Sequence, residues 1–199
     1  MRGTSKLPAG TPTQIVVLAS GTGTLLQALL AAAGPNYQVS AVVTDRPCAA
    51  LDHARAAGIA THCVPLDGDR DAWNKQLGNT VAHYRPDVVV SAGFMKILGP
   101  DFVHRFTVIN THPALLPAFP GAHAVRDALA YGVTITGCTV HYVDEGVDTG
   151  PIIAQRAVEI EPGDTEESLH NRIKTVERQL IVQILQSGQW RKPHPTARP

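Results

Sequence analysis

The sequence predicts an α/β protein: an open, mostly parallel sheet flanked by helices, with additional strands in the C-terminal half and a long C-terminal helix. Three observations predict it. Short Val/Ile-rich runs such as Ile15-Val-Val-Leu18 and Val88-Val-Val-Ser91 alternate with helical stretches at the spacing of right-handed βαβ units. Apolar residues make up 44% of the chain but aromatic residues only 5%, which suits strands buried on both faces under Ala/Leu helices. The 17 glycines and 15 prolines exceed average usage and mark many loops.

The elements follow in order. Residues 14–19 form a buried strand, and Ser20–Thr24 is a tight glycine-bearing turn into a helix over 24–33 that Gly34-Pro35 stops. Residues 39–44 give the next strand, and 49–57 a helix closed by Gly58. A short strand at 61–64 leads to a helix over 69–84, with a fourth strand at 87–91 and a fifth at 107–110. The pattern then changes. A helix over 122–131 precedes two strands, 135–143 and 152–160, joined by the loop that carries Asp148. The terminal helix begins near Asp164/Thr165, where Asp164-x-x-Glu167 resembles a capping box, and runs to about Gln186.

At 199 residues the chain reads as one domain, 14–189, with a flexible arm over 1–13 and a basic, Pro-rich flexible tail over 190–199. A domain of this size buries about 70% of its unfolded surface. Basic and acidic residues balance at 17 each, which leaves no strong electrostatic footprint for nucleic acid. Cys48, Cys63 and Cys138 are odd in number and form no C-x-x-C, against a disulfide framework or a structural zinc site. The nine histidines include no H-E-x-x-H, so no metal is expected. With no hydrophobic signal core and no apolar run of membrane-spanning length, a cytoplasmic protein free of membrane contact is expected.

The chemistry is concentrated in Val108-Ile-Asn-Thr-His-Pro-Ala-Leu-Leu-Pro117 and Asp148-Thr-Gly-Pro151. Side chains two apart on a strand share a face, so Asn110 and His112 project together, and Pro113 ends the strand. Asn110 can donate to a developing oxyanion, and His112 can exchange a proton near neutral pH. Asp148, arriving from a separate loop, would favour the protonated imidazole. Taken alone, Asn-x-His is common and Asp-Thr-Gly-Pro is a turn. The conjunction of the two points to acyl transfer.

Ser20-Gly-Thr-Gly-Thr24 sits between the first strand and first helix, where glycines let backbone amides approach a phosphate and Thr24 adds a hydroxyl. It competes with a dinucleotide fingerprint. Gly21 and Gly23 fit that pattern and Asp45 lies about where its acid belongs, but Leu26 occupies the third glycine position and would crowd the helix against the sheet. A phosphomonoester suits this loop better than a nicotinamide cofactor, and a tight turn with no ligand is the bland alternative.

With these pieces assembled, the chain resembles the glycinamide ribonucleotide transformylases, folate-dependent formyltransferases of purine synthesis. The resemblance runs from about Gln14 to Gln186. It is carried by the Ser20–Thr24 loop, Ser91-Ala-Gly-Phe-Met-Lys-Ile-Leu98, Asn110-Thr-His-Pro-Ala-Leu-Leu-Pro-Ala-Phe-Pro-Gly121 and Asp148-Thr-Gly-Pro151. It implies a Rossmann-like formyltransferase fold, 10-formyltetrahydrofolate as co-substrate, no metal, and a catalytic trio of Asn110, His112 and Asp148. It implies ribonucleotide contacts from Gly23, Thr24, Leu25, Lys174 and Glu177. Folate contacts are implied for Arg70, for Met95, Lys96, Ile97 and Leu98, for Asn110, and for Val143 and Asp144 in the loop that reaches Asp148. Leu25 stands where many members have Asn and offers only its backbone amide. Lys96 stands where Arg is commoner and brings a charge without the planar fork. The family includes monomers and dimers, and a homodimer stays open for this chain.

Related enzymes fit less well. A methionyl-tRNA formyltransferase would need a further C-terminal domain and a basic surplus, a formyltetrahydrofolate hydrolase an N-terminal regulatory domain, and an ATP-dependent formate-using transformylase a nucleotide site. A non-catalytic phosphometabolite-binding protein is the alternative if Asn110, His112 and Asp148 do not converge.

Overall fold

The computed structural model describes residues 10–191. Five strands run parallel: β1 (Thr13–Ala19), β2 (Tyr37–Thr44), β3 (Ala60–Cys63), β4 (Val88–Ser91) and β5 (Val108–His112). Two more, β6 (Ile135–Tyr142) and β7 (Ile152–Glu159), add antiparallel, giving the order β3-β2-β1-β4-β5-β6-β7 in one seven-stranded sheet. The chain leaves β1 first towards β2 and later returns to place β4 on its other side. The crevice at the carboxyl ends of β1 and β4 is therefore the switch point where open α/β sheets bind ligands.

Helices cover both faces. Helices α1 (Thr24–Ala31), α2 (Ala49–Ala56), α5 (Ala124–Tyr131) and α6 (Glu166–Ser187) pack with Ile15, Val17, Val90, Ile109, Cys138 and Val140. Helices α3 (Arg70–His83) and α4 (Pro100–Arg105) cover Val16, Leu18, Val43, Val89 and Val108 on the other face. Strand alternation makes this division. Val108 faces α3 and α4, so Asn110 and His112 point the same way, beyond the reach of those two helices. Ile109 and Thr111 point towards α6. In β6, Cys138 and Val140 belong to the α6 face, which leaves Thr139 and His141 on the face of Asn110.

Three local expectations need correction. Helix α4 was not anticipated. Its six residues are too few to show helical periodicity, although Pro100 directly after Gly99 is a start signal. The cap of α6 lies one residue later than the Asp164-x-x-Glu167 reading. Thr165 and Ser168 bond reciprocally, the Ser168 amide to Thr165 Oγ1 at 3.1 Å and the Thr165 amide to Ser168 Oγ at 3.0 Å. Asp164 instead receives the Ser168 hydroxyl and the Arg172 guanidinium, which together hold its carboxyl well below the usual carboxylate range.

The C-terminal boundary also shifts. Trp190, read as the start of a flexible tail, is buried in the α6-side core within a short 3-10 turn over Gln189–Arg191, because its indole can cover apolar surface that the end of α6 leaves open. Its carbonyl accepts from the Tyr142 hydroxyl, and Arg191 donates to Thr13 across the chain ends. The rest of that tail, 192–199, and residues 1–9 of the arm lie outside the described residues. Among the described residues, no helix is long and apolar enough to cross a membrane.

Candidate active site

Asn110 lies at the middle of β5 and His112 at its carboxyl end, and β6 lies alongside with His141 opposite Asn110 in register. The loop from Val143 then brings Asp148 back over the strand tips. Gly150 lets that loop close: a Cβ there would sit 1.9 Å from the Tyr142 carbonyl oxygen, a clash that only glycine avoids. Asp148 itself has φ 56°, a left-handed conformation that Asp tolerates better than most residues.

Of the three residues expected from the sequence, His112 and Asp148 lie side by side, and Asn110 reaches Asp148 by way of His141. His112 Nδ1 lies 3.2 Å from Asp148 Oδ2, with His112 buried and Asp148 partly buried. The same carboxylate oxygen accepts the Gly121 amide at 2.8 Å, which ties the loop after β5 to the loop after β6. Burial pushes the Asp148 carboxyl up, but His141, the Gly121 amide and the charge of His112 outweigh it and hold it below the usual range. Asp148 is an anion at neutral pH.

His112 Nε2 is 2.8 Å from the Phe119 carbonyl. The Phe119 carbonyl only accepts, so Nε2 carries the hydrogen it donates there, while Nδ1 faces the Asp148 carboxylate. Phe119 holds its carbonyl there with φ 53°, and its ring rests against Tyr131 in an edge contact with centroids 5.9 Å apart. His112 therefore lies behind the cavity wall with both nitrogens engaged, a more enclosed position than the sequence suggested.

His141 was missed in the sequence. Its Nδ1 donates to the Tyr142 carbonyl at 2.8 Å, while Nε2 lies 3.3 Å from Asn110 Nδ2 and 3.5 Å from Asp148 Oδ1. Unprotonated, Nε2 accepts from the Asn110 amide; protonated, it turns to the Asp148 carboxylate. Either proton state finds a partner, which is the geometry of a relay. The signal was faint: a lone histidine in an alternating strand acquires meaning only from its neighbour across the sheet.

Asn110, His141 and Asp148 share the wall of a cavity of about 250 Å³. Met95, Lys96, Ile97 and Leu98 form its facing side, and Val143, Asp144 and Val147 complete the rim. Met95, Ile97 and Val147 are 70%, 62% and 53% exposed, an apolar mouth that solvent leaves uncovered. Arg70 is not part of this lining. It donates to the Ile97 carbonyl from behind and lies over the Trp73 ring at 5.0 Å.

The remaining candidates lie around the crevice. Gly23 caps α1 with φ 73°, and a Cβ there would come within 2.8 Å of the Ala50 backbone, so the starts of α1 and α2 approach as closely as glycine allows. No side chain caps α1, which leaves the amides of its first turn open at Thr24. Leu25 is buried, and its side chain belongs to the core. Glu177 reaches from α6 to the Thr111 hydroxyl. Burial raises its carboxyl above the usual range against the opposing pull of Thr111, Lys174 and Arg178. Thus Glu177 and Lys174 stand on the α6 side of β5, and the cavity stands on the other.

A family described as Formyl transferase matches residues 13–185. The chain belongs to that family. Within it, the chain is 54% identical over 183 residues to the phosphoribosylglycinamide formyltransferase of Mycobacterium tuberculosis (strain H37Rv), covering 89% of this chain and 85% of that protein. The enzyme of the same name from Escherichia coli (strain K12) is 41% identical over 179 residues, covering 86% of this chain and 84% of its own. Among solved structures, glycinamide ribonucleotide transformylase 1 from Symbiobacterium toebii superposes with a TM-score of 0.87 at 36% identity, covering 94% of this chain and 93% of that one. Membership in the formyl transferases removes the dinucleotide reading of the Ser20–Thr24 loop, and Leu26, fully buried where that fingerprint needs glycine, gives the physical reason. No group of His, Cys, Asp and Glu suited to a metal ion occurs among the described residues.

Proposed function

We propose that this protein transfers the formyl group of N10-formyltetrahydrofolate to the glycyl amine of 5-phosphoribosylglycinamide, giving formylglycinamide ribonucleotide and tetrahydrofolate in de novo purine (IMP) biosynthesis in the cytoplasm. The observation that carries the reading is the convergence of Asn110, His141 and Asp148 on one wall of a cavity with an apolar mouth. Similarity to phosphoribosylglycinamide formyltransferases supplies the substrates.

In this reading the folate lies against residues 95–98 and the loop from Val143 to Asp148. The ribonucleotide phosphate meets the amides of Gly23, Thr24 and Leu25, with Lys174 as counter-charge and Glu177 on the ribose hydroxyls. An α-amino group has a pKa of about 7.7–8.0, so a useful fraction is neutral at pH 7 and no strong base is needed. The harder tasks are the tetrahedral oxyanion and the proton on the attacking nitrogen. Asn110 donates to the oxyanion, and His112 Nε2–H joins it once substrate displaces the Phe119 carbonyl. One such donor is typically worth about 3–4 kcal/mol in the transition state. Asp148 fixes both imidazoles, and the proton leaving the amine passes by way of Asp148 and His141 to the folate nitrogen as the C–N bond to the donor breaks. General acid–base help of this kind is commonly on the order of 10²–10⁴ in rate.

The test mixes the purified protein with phosphoribosylglycinamide and 10-formyltetrahydrofolate, or its stable dideazafolate analogue, and follows loss of the formyl donor. Acceptor-dependent loss is expected. Loss without the ribonucleotide would indicate a hydrolase, and no loss in either case would return the site to a binding role.

A further inference from the structure

One buried carboxylate is used by none of these steps. Asp45 follows the last residue of β2, and its side chain is 1% exposed. Its Oδ2 accepts Arg46 Nη2 at 2.9 Å and Nε at 3.2 Å, and Lys96 Nζ lies 3.8 Å from the same oxygen. Its Oδ1 is buried on the side of the Ser20 hydroxyl. Burial pushes this carboxyl up, but Arg46 and the neighbouring Ser20 hydroxyl outweigh it and hold it below the usual range. A buried charge is a poor way to add stability, because its desolvation offsets what its partners return. Its partners suggest another purpose.

Residues 95–97 are held at three successive points by three different elements. The Met95 amide donates to Ser20 Oγ at 2.8 Å, Lys96 reaches Asp45, and the Ile97 carbonyl accepts from Arg70. Met95 and Ile97 are mostly exposed, so apolar packing does not fix this segment. Polar ties do. Ser20 is also the residue that opens the glycine loop, so the segment is referred directly to the end of β1.

We infer that Asp45 is a positioning residue: by holding Lys96 it fixes the backbone of residues 95–97 in the shape that the folate ring system lies against. This rests on the formyl-folate reading of the cavity. Asp45 acts through Lys96, so its removal should weaken folate binding and leave the ribonucleotide untouched.

The experiment compares wild type, Asp45→Asn, Lys96→Met and the double variant by calorimetric titration with 10-formyl-5,8-dideazafolate, alongside KM for each substrate. Asp45→Asn is expected to raise the analogue's Kd about tenfold while the ribonucleotide KM stays within twofold. In the Lys96→Met background the same change should alter Kd less than threefold, since the tie is already gone. A merely structural role would lower the melting temperature and give equal losses in both backgrounds, and that result overturns the inference. So does unchanged folate affinity in Asp45→Asn. If Asp45→Asn fails to fold, Asp45→Ser takes its place in the same cycle: unchanged folate affinity overturns the inference, and a loss of about tenfold that shrinks below threefold in the Lys96→Met background sustains it. Wild-type protein that does not bind the analogue refutes the formyl-folate reading itself, and the inference with it. Wild type that binds, with Asp45→Asn binding equally well, refutes the inference alone.

Discussion

Replacing Asp148 by Asn isolates the charge at the centre of the site. The amide fits the space. Its oxygen can keep the Gly121 amide, 2.8 Å from Oδ2, and the His112 ring at 3.2 Å, while its NH2 turns to His141 Nε2 at 3.5 Å. What disappears is the charge on those contacts. Hydrogen bonds to charged groups contribute about 1.5–3 kcal/mol and neutral ones about 0.5–1.5, so the variant should lose about 1–2 kcal/mol of stability. For a chain of this size that is about 2–8 °C in Tm. The sign of the pH effect follows from Asp148 being held below its unfolded value of about 3.9. Its contribution is present above that value and is lost as pH falls through the folded value, so stability should decline less steeply below about pH 4 in the variant than in wild type. Turnover should fall further than stability, about 10²–10⁴-fold, because the relay loses its anion. The assay is acceptor-dependent formyl loss at saturating substrates, with thermal melts at several pH values. Turnover within threefold of wild type in a folded Asp148→Asn protein would refute the reasoning.

Three further outcomes are expected. Thr24→Asp places a charge against the substrate phosphate and should raise the ribonucleotide KM at least tenfold; a change confined to the folate KM would show that the loop has another use. Cys138 is buried and its thiol is pushed up to about 12, first by burial and then by the charge of Glu177, whereas Cys63 is exposed. At pH 8, iodoacetamide followed by peptide mapping should modify Cys63 in the native protein and spare Cys138 until the chain unfolds. Trp190→Ala should cost about 3–5 kcal/mol and lower Tm by about 10 °C. Trp190→Phe should stay within about 3 °C, since the indole nitrogen has no hydrogen-bond partner to lose among the described residues.

The elements legible from the sequence were those whose pattern is local. The Val/Ile runs of β1 and β4 are long enough to declare strands buried on both faces, and the switch from parallel to antiparallel pairing accompanies the change of pattern after Tyr131. Helix α4 escaped because six residues do not complete two turns. Trp190 escaped because a Pro-rich basic tail masks one indole that finds a gap in the core. In the site, Asn110 and His112 could be paired by strand alternation alone. His141 could not, because its place opposite Asn110 depends on the register between β5 and β6. The Asp45–Lys96 contact was invisible for the same reason: it joins the ends of two strands that are adjacent neither in sequence nor in the sheet.

Strand β5 separates the two halves of the site. Asn110 and His112 belong to the face of the cavity, and Thr111 between them belongs to the face of Glu177. The strand is thus a partition read from both sides, and the reactants can meet only where it ends. Inserting one residue between Val108 and Ile109 would turn the partition over, sending the amide and the imidazole into the α6 core and setting a threonine before the folate. Length matters in β5 as much as residue identity does. The loops on either side can absorb a residue; the strand cannot.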